Sequence, residues 1–153
     1  MNKATIAIGC DPNASMLKAV LIRHICDQGF AIEDFGSDDP IYANTAYRVA
    51  RAVAEGKFER AILLCGTGLG MCLAANKVPG AYAVTCVDPY STERSIKSNN
   101  VNILTLGSQV VGPELAKKIV DIWLEAKYDK GGRSQSKVDR IYEIEKEFLK
   151  TRV

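Results

Sequence analysis

A three-layer α/β/α fold around a mostly parallel five-stranded sheet is predicted by two observations. Short apolar runs alternate with amphipathic stretches along the chain, and the connections between them are short. Thr5–Cys10 reads as the first strand, followed by the turn Asp11-Pro12-Asn13. Ser15 to Gln28 carries apolar residues at 17, 20, 21 and 25, the spacing of one helix face, and Gly29 ends it. Ala31–Phe35 is a second strand, closed by Gly36 and the polar run Ser37-Asp38-Asp39-Pro40. Tyr42 to Ala54 reads as a helix that stops at Gly56. Arg60–Leu64, Ala81–Val87 and Ile103–Leu106 supply the third, fourth and fifth strands. Helices are predicted at 90–98, 113–127 and 135–150.

This order makes a Rossmann-like sandwich with helices on both faces, in which ligands bind beyond the carboxyl ends of the strands. The segments there are Cys10–Asn13, Gly36–Tyr42, Cys65–Met71, Asp88–Tyr90 and Gly107–Gln109. No internal repeat, low-complexity tract or long linker interrupts the 153 residues, so one domain is expected over 1–153. Its charged C-terminal tail, 134–150, reads as a solvated helix that packs on a neighbouring subunit.

Composition narrows the classes of function. Hydrophobic residues make up 47% and charged residues 25%, as in soluble globular proteins. The net charge is +2 with no basic stripe, so nucleic acid is not expected as a partner. The apolar runs are too short for a membrane span and the N-terminus lacks a signal-peptide core. A cytoplasmic protein is expected. Five cysteines, at 10, 26, 65, 72 and 86, form no C-x-x-C pair, which argues against a disulfide framework and a zinc site. Cys10, Cys26, Cys72 and Cys86 read as free, mostly buried thiols. His24, the only histidine, lies in the first helix away from every strand end and reads as structural or surface.

Cys65 differs. It ends an apolar strand and precedes glycines at 66, 68 and 70, after which an Ala-rich helix begins. A thiol at that junction meets free backbone N–H groups and the positive end of a helix dipole, which favour a thiolate and a neighbouring anion. The loop lacks the Gly-Lys-Ser/Thr of a Walker P-loop, because Met71 and Cys72 follow Gly70. It is Gly-x-Gly-x-Gly after the third strand, which fails the dinucleotide fingerprint. A cysteine phosphatase needs an arginine to grip phosphate where Met71 stands. An acid–base thiol beside an oxyanion hole needs only what is present. A tight strand-to-helix turn around a buried cysteine is the structural alternative.

Cys-Gly-Thr-Gly-Leu-Gly followed by Ala-Ala-Asn-Lys-Val-Pro-Gly (65–80) resembles the signature of the ribose-5-phosphate isomerase B and galactose-6-phosphate isomerase family. The resemblance continues in Ile-Gly-Cys-Asp (8–11), Asp-Pro-Tyr-Ser (88–91), Asn-Asn-Val-Asn (99–102), Val-Val-Gly-Pro-Glu-Leu-Ala (110–116) and Gly-Gly-Arg-Ser-Gln-Ser-Lys-Val-Asp (131–139). It implies interconversion of phosphorylated aldoses and ketoses through a cis-enediolate, with no metal and no cofactor. It implies Cys65 as the base, with Thr67, Gly66, Gly68 and Gly70 around the developing oxyanion. Asp11 and Tyr42 match residues that contact the sugar and line the pocket. Asn99 matches one that bonds near the reacting carbons, and Arg133 and Lys137 match two phosphate-binding positions. These groups meet across a subunit interface in the family, which implies a homodimer or a dimer of dimers.

The chain departs from the family pattern at four places. Pro12, Ser98 and Ser134 stand where histidines are expected, and Gln109 where an arginine is. Pro12 and Gln109 remove phosphate donors, while Ser98 replaces the ring-opening group. Tyr-Ala-Asn (42–44), Ser-Asn-Asn (98–100) and Gly-Arg-Ser (132–134) resemble the branch that acts on D-erythrulose 4-phosphate in erythritol breakdown. A tetrose 4-phosphate cannot close a furanose ring and needs no ring-opening group. A non-catalytic partner subunit or sugar-phosphate sensor of the same fold is the competing reading.

Overall fold

The computed structural model describes residues 3–152. Five strands, β1 (Thr5–Cys10), β2 (Ala31–Asp34), β3 (Ala61–Cys65), β4 (Ala83–Thr85) and β5 (Ile103–Gly107), form one sheet in the order β2-β1-β3-β5-β4. Every pairing is parallel, so the expected mostly parallel sheet is wholly so. The helices are α1 (Ser15–Asp27), α2 (Tyr42–Ala54), α3 (Leu69–Ala75), α4 (Pro89–Lys97), α5 (Pro113–Glu125) and α6 (Gln135–Lys150), and a 3-10 turn at Pro12–Ala14 leads into α1. The expected elements are present with ends shifted by a residue or two. The exception is β4, where only the three central residues of the predicted 81–87 run pair with β5.

The central strands β3 and β5 are buried along their whole length, as continuous apolar runs in a parallel sheet must be. Alternate residues face opposite layers. Ile6, Ile8, Ile62, Leu64, Leu104 and Leu106 pack on α1, α4 and α5 in one core. Ala7, Ala61, Leu63 and Cys65 face α2 and α3 in the other. The second layer sits close because the strand residues under it are small. A Cβ at Gly9 would lie 2.7 Å from Thr45 Cγ2 on α2.

The layer of α1 and α5 is closed by one cation. Arg60, just before β3, donates to the carbonyls of Trp123, Leu124 and Ala126 at the end of α5, the last at 2.6 Å. These carbonyls lack helical donors, so the guanidinium caps the helix. Its Cζ also lies 5.3 Å from the centre of the fully buried Trp123 ring. Two thiol expectations are corrected. Cys26 is exposed and Cys72 only half-buried, because the polar faces of α1 and α3 carry them. His24 is tied down by Asp121 of α5, Nε2 to Oδ1 at 2.6 Å, in keeping with a structural role.

Arg60→Ala removes charge-assisted bonds to carbonyls that stay buried, a loss of about 3 kcal/mol. The melting temperature is expected to fall by roughly 6–12 °C. Differential scanning calorimetry of the two proteins checks it, and an unchanged Tm would mean that water caps α5 equally well.

Candidate active site

The sheet order reverses between β1 and β3, so the crevice for a ligand opens beyond Cys10 and Cys65. Three chain segments run side by side there. Asp11 N–H donates to Leu64 O at 3.2 Å, Ser108 N–H to Cys65 O at 2.9 Å, and Gln109 N–H to Gly66 O at 2.9 Å. Asp11, the thiol loop and the segment after β5 are thereby fixed to one another by backbone-to-backbone bonds.

Cys65 is the last residue of β3 and is 4% exposed. Its sulfur accepts the Gly68 N–H at 3.1 Å. That contact strengthens when the acceptor carries charge. Gly68 is left-handed, at φ 80°, which swings the chain into α3 immediately after the N–H that the sulfur accepts. A Cβ at Gly68 would meet the Leu106 backbone at 2.9 Å, and one at Gly107 would meet the Thr67 backbone at 2.5 Å. The loop therefore lies on the β5 backbone with no room for side chains between them. Thr67 is exposed, and its Oγ1 accepts the Leu69 N–H at 3.3 Å. The N–H groups of Gly70 and Met71, in the first turn of α3, have no acceptor among the described residues.

Asp11 is buried and caps the 3-10 turn. Its two oxygens accept the backbone and side-chain N–H groups of Asn13, both at 3.1 Å. The capping role weighed for Asp11 is thus present beside the thiol. Pro12 is exposed at the start of that turn. Tyr42 opens α2 and lies over Gly70, where a Cβ would come within 2.5 Å of the phenol ring. Gly66 faces the side-chain amide of Gln109, whose carbon would lie 3.4 Å from a Cβ at that position. A hollow of about 460 Å³ lies beside this rim, between Pro12, Asn13, Met16, Ser108, Gln109 and Gly112. Burial pushes the Cys10 and Cys86 thiols up from their ordinary value, which makes them poor competitors as nucleophiles.

The other half of the expected site is elsewhere. Ser98 and Asn99 follow α4 and precede β5, so they sit at the amino-terminal rim of the sheet. Parallel five-residue strands separate that rim from Cys65 by about 15 Å. Asn100, left-handed at φ 51°, fixes the turn and donates to Tyr142 of α6 at 3.1 Å. α6 is held to the same rim by Glu145, which accepts from Tyr82 Oη at 2.8 Å. Arg133 and Lys137, on the approach to α6 and in its first turn, are exposed, and no bond among the described residues joins them to the thiol loop. Within one chain the structure brings together Asp11, Pro12, Tyr42, Cys65, Thr67, Gly66, Gly68 and Gly70, and leaves Ser98, Asn99, Arg133 and Lys137 apart. Sequence reasoning missed Asn13, which donates to Asp11, and Arg94, whose guanidinium donates to Ser98 Oγ. The nitrogen-bearing side chain two residues after Asp11 was a usable signal for the first. Spacing four residues before Ser98 was a usable signal for the second.

No group of three or more His, Cys, Asp or Glu side chains among the described residues is placed to hold a metal ion, and no described helix is long and apolar enough to cross a membrane.

Comparison with known proteins agrees with this architecture. The Ribose/Galactose Isomerase family model matches residues 6–141. D-erythrulose-4-phosphate isomerase of Pectobacterium atrosepticum is 46% identical over 90% of this chain and 92% of its own. Ribose-5-phosphate isomerase B of Escherichia coli is also 46% identical, over 92% of this chain and 95% of its own. The structure of ribose-5-phosphate isomerase B from Clostridium thermocellum superposes with a TM-score of 0.88 at 41% identity, covering 94% of this chain and 99% of that one.

The contact between Gly70 and Tyr42 is testable without an assay of function. Gly70→Ala should destabilise the protein by about 1–3 kcal/mol by displacing the ring. In a Tyr42→Ala background most of that cost should vanish. A denaturation cycle over the four proteins measures the coupling, and additive losses would place the ring elsewhere.

Proposed function

Because the chain belongs to the ribose/galactose isomerase family, we propose that it is a cofactor-independent aldose–ketose isomerase of phosphorylated sugars, with Cys65 as its base. The observation that carries the reading is the buried Cys65 sulfur accepting the Gly68 N–H at the sheet's switch point. As a thiolate it takes a proton from C2 of the aldose and returns it to C1, passing through a cis-enediolate. The free N–H groups of Gly70 and Met71 face the negative charge that develops on oxygen, where one such donor contributes about 3 to 4 kcal/mol. Asp11, locked by Asn13, accepts from sugar hydroxyls, and Tyr42 walls the pocket.

The favoured substrate is the pair D-erythrose and D-erythrulose 4-phosphate. Ribose 5-phosphate closes a furanose through O4 and must be opened before C2 can lose its proton. In a tetrose 4-phosphate that oxygen carries the phosphate, so the open chain is already present. Ser98 carries a hydroxyl with no basic ring, and the hydroxyl is engaged by Arg94. This suits a substrate that needs no opening. The sequence similarity is equal for the two kinds of relative and does not discriminate between them.

Two halves at opposite rims of one sheet support a site shared between copies of this chain, with Ser98, Asn99, Arg133 and Lys137 supplied to the thiol of a neighbour. Exposed apolar residues fit a covered surface there. Leu69 and Leu73 of α3, Tyr90 of α4, and Ile144 and Phe148 of α6 are each more than half or about half exposed. A homodimer, alone or doubled, in the cytoplasm is the assembly this reading requires.

Three measurements test it. Cys65→Ala should lower kcat by about three orders of magnitude and abolish exchange of the substrate C2 proton with solvent, with the fold intact; persisting exchange would assign the base elsewhere. The ratio of kcat/KM should favour D-erythrulose 4-phosphate over D-ribose 5-phosphate, and a clear preference for ribose 5-phosphate would remove the tetrose assignment. Inactive Cys65→Ala and inactive Asn99→Ala, mixed and allowed to exchange subunits, should regain about a quarter of wild-type activity, since half the dimers then hold one intact site. No recovery would place both residues in one subunit's site.

A further inference from the structure

The end of α4 carries a pairing that the reading above leaves unused. Arg94 donates through a terminal guanidinium nitrogen to Ser98 Oγ, one helical turn on. Arg94 is half-buried, and it makes no ion pair with a carboxylate among the described residues. Glu93, its neighbour in sequence, is taken by Lys97 at 2.5 Å. A guanidinium has five N–H donors in a rigid fork and is always charged. Here one side-chain acceptor is engaged, a neutral hydroxyl. Tyr90, Arg94 and Ser98 follow at successive turns along one stripe of α4, and Tyr90 is 75% exposed at its start. The neighbouring turn is closed by backbone bonds. The Ser98 N–H donates to Arg94 O at 2.9 Å, and the Asn100 N–H to Ile96 O at 3.0 Å.

The consequence lies in the hydroxyl's own proton. A serine oxygen has two lone pairs and one O–H. With a lone pair occupied by a cationic donor, the O–H is turned away from Arg94 and polarised by the adjacent charge. We propose that Arg94 is a positioning residue, which aims the Ser98 hydroxyl as a hydrogen-bond donor at the substrate's carbonyl oxygen in the thiol site of a second copy of this chain. This inference rests on the function proposed above and deepens it. The hydroxyl keeps its proton throughout. It stabilises the carbonyl oxygen as that atom gains charge on the way to the enediolate, and it opens no ring. The pair thus supplies polarisation and no ring-opening base, which suffices for a substrate that is already open-chain.

The test compares kcat and KM on D-erythrulose 4-phosphate for the wild type, Arg94→Ala, Arg94→Lys, Arg94→Gln, Ser98→Ala and the double Arg94→Ala, Ser98→Ala. Subunit assembly is followed by sedimentation. Arg94→Ala and Ser98→Ala should each lower kcat on the order of 10- to 100-fold, with KM changed by less than about threefold. The double variant should be no worse than Ser98→Ala within about twofold, because the guanidinium acts through the hydroxyl. Arg94→Lys should recover part of the loss and Arg94→Gln less, since the first keeps the charge. If Arg94→Ala fails to assemble, the lysine and glutamine variants and their doubles with Ser98→Ala carry the same comparison. A rise in KM alone would make Arg94 a direct phosphate ligand and overturn the proposal. Additive losses, or loss of assembly with kcat per intact site unchanged, would overturn it as well. A wild type inactive on both tetrose and pentose phosphates would remove the proposed function itself. An active wild type with a silent Arg94→Ala removes only this inference.

Discussion

The close approach of the thiol loop to the β5 backbone is the constraint on which the rest of the site depends. Gly68 lies against the Leu106 backbone and Gly107 against the Thr67 backbone, with no space for a Cβ at either. The left-handed turn at Gly68 then becomes available, and α3 starts at once with unpaired N–H groups just past the N–H that meets the Cys65 sulfur. A side chain at either glycine would lift the loop from the sheet. The sulfur would lose its donor and the crevice its floor. The Ser108 and Gln109 backbone bonds to Cys65 and Gly66 reinforce the same contact from the other side.

The alternation of the sheet decides what the thiol sees. Odd-numbered positions of β3 face α2 and α3, so Cys65 points into the layer that begins with Tyr42 and contains Gly70. That layer approaches closely because Ala7, Gly9 and Ala61 beneath it are small. The opposite layer, built on isoleucine, leucine and Trp123, contributes bulk burial, and Arg60 closes its end. One layer supplies most of the packing and the other the geometry of the site.

Much of this was legible in the sequence. The apolar run before Cys65 and the three glycines located the loop, and the alternation of strand and helix located the rim it occupies. Strand ends were less legible. The predicted fourth strand was too long because Ala81 and Cys86 are apolar for reasons of core packing, while only residues that can reach β5 pair with it. The role of Gly107 was not legible, because a glycine at a strand end reads as a turn, and its need comes from Thr67, forty residues earlier in the chain. The depth of Cys26 and Cys72 was misjudged because cysteine's usual burial says nothing about which helix face carries it. Arg94 escaped notice because an arginine on a helix reads as a solvated face until its acceptor is seen.

The separation of the two rims has a further consequence for how substrate preference is encoded. Ser98, Asn99 and Arg94 belong to the end of α4, whose hydrogen bonds run to Tyr142 and to α4's own turn, and none among the described residues reaches the thiol loop. On the proposed reading, proton abstraction resides in the loop on β3 and β5, and discrimination among sugars resides in a turn on another element, joined only by assembly. Substitutions at the α4 turn can then change which sugar phosphate is polarised without disturbing the Gly68–Cys65 contact. A chain that keeps the whole thiol loop while carrying serine in place of a ring-opening histidine fits that division. On that reading the proton transfer depends on the backbone packing around Gly68 and Gly107, and the choice of sugar on side chains of a surface turn.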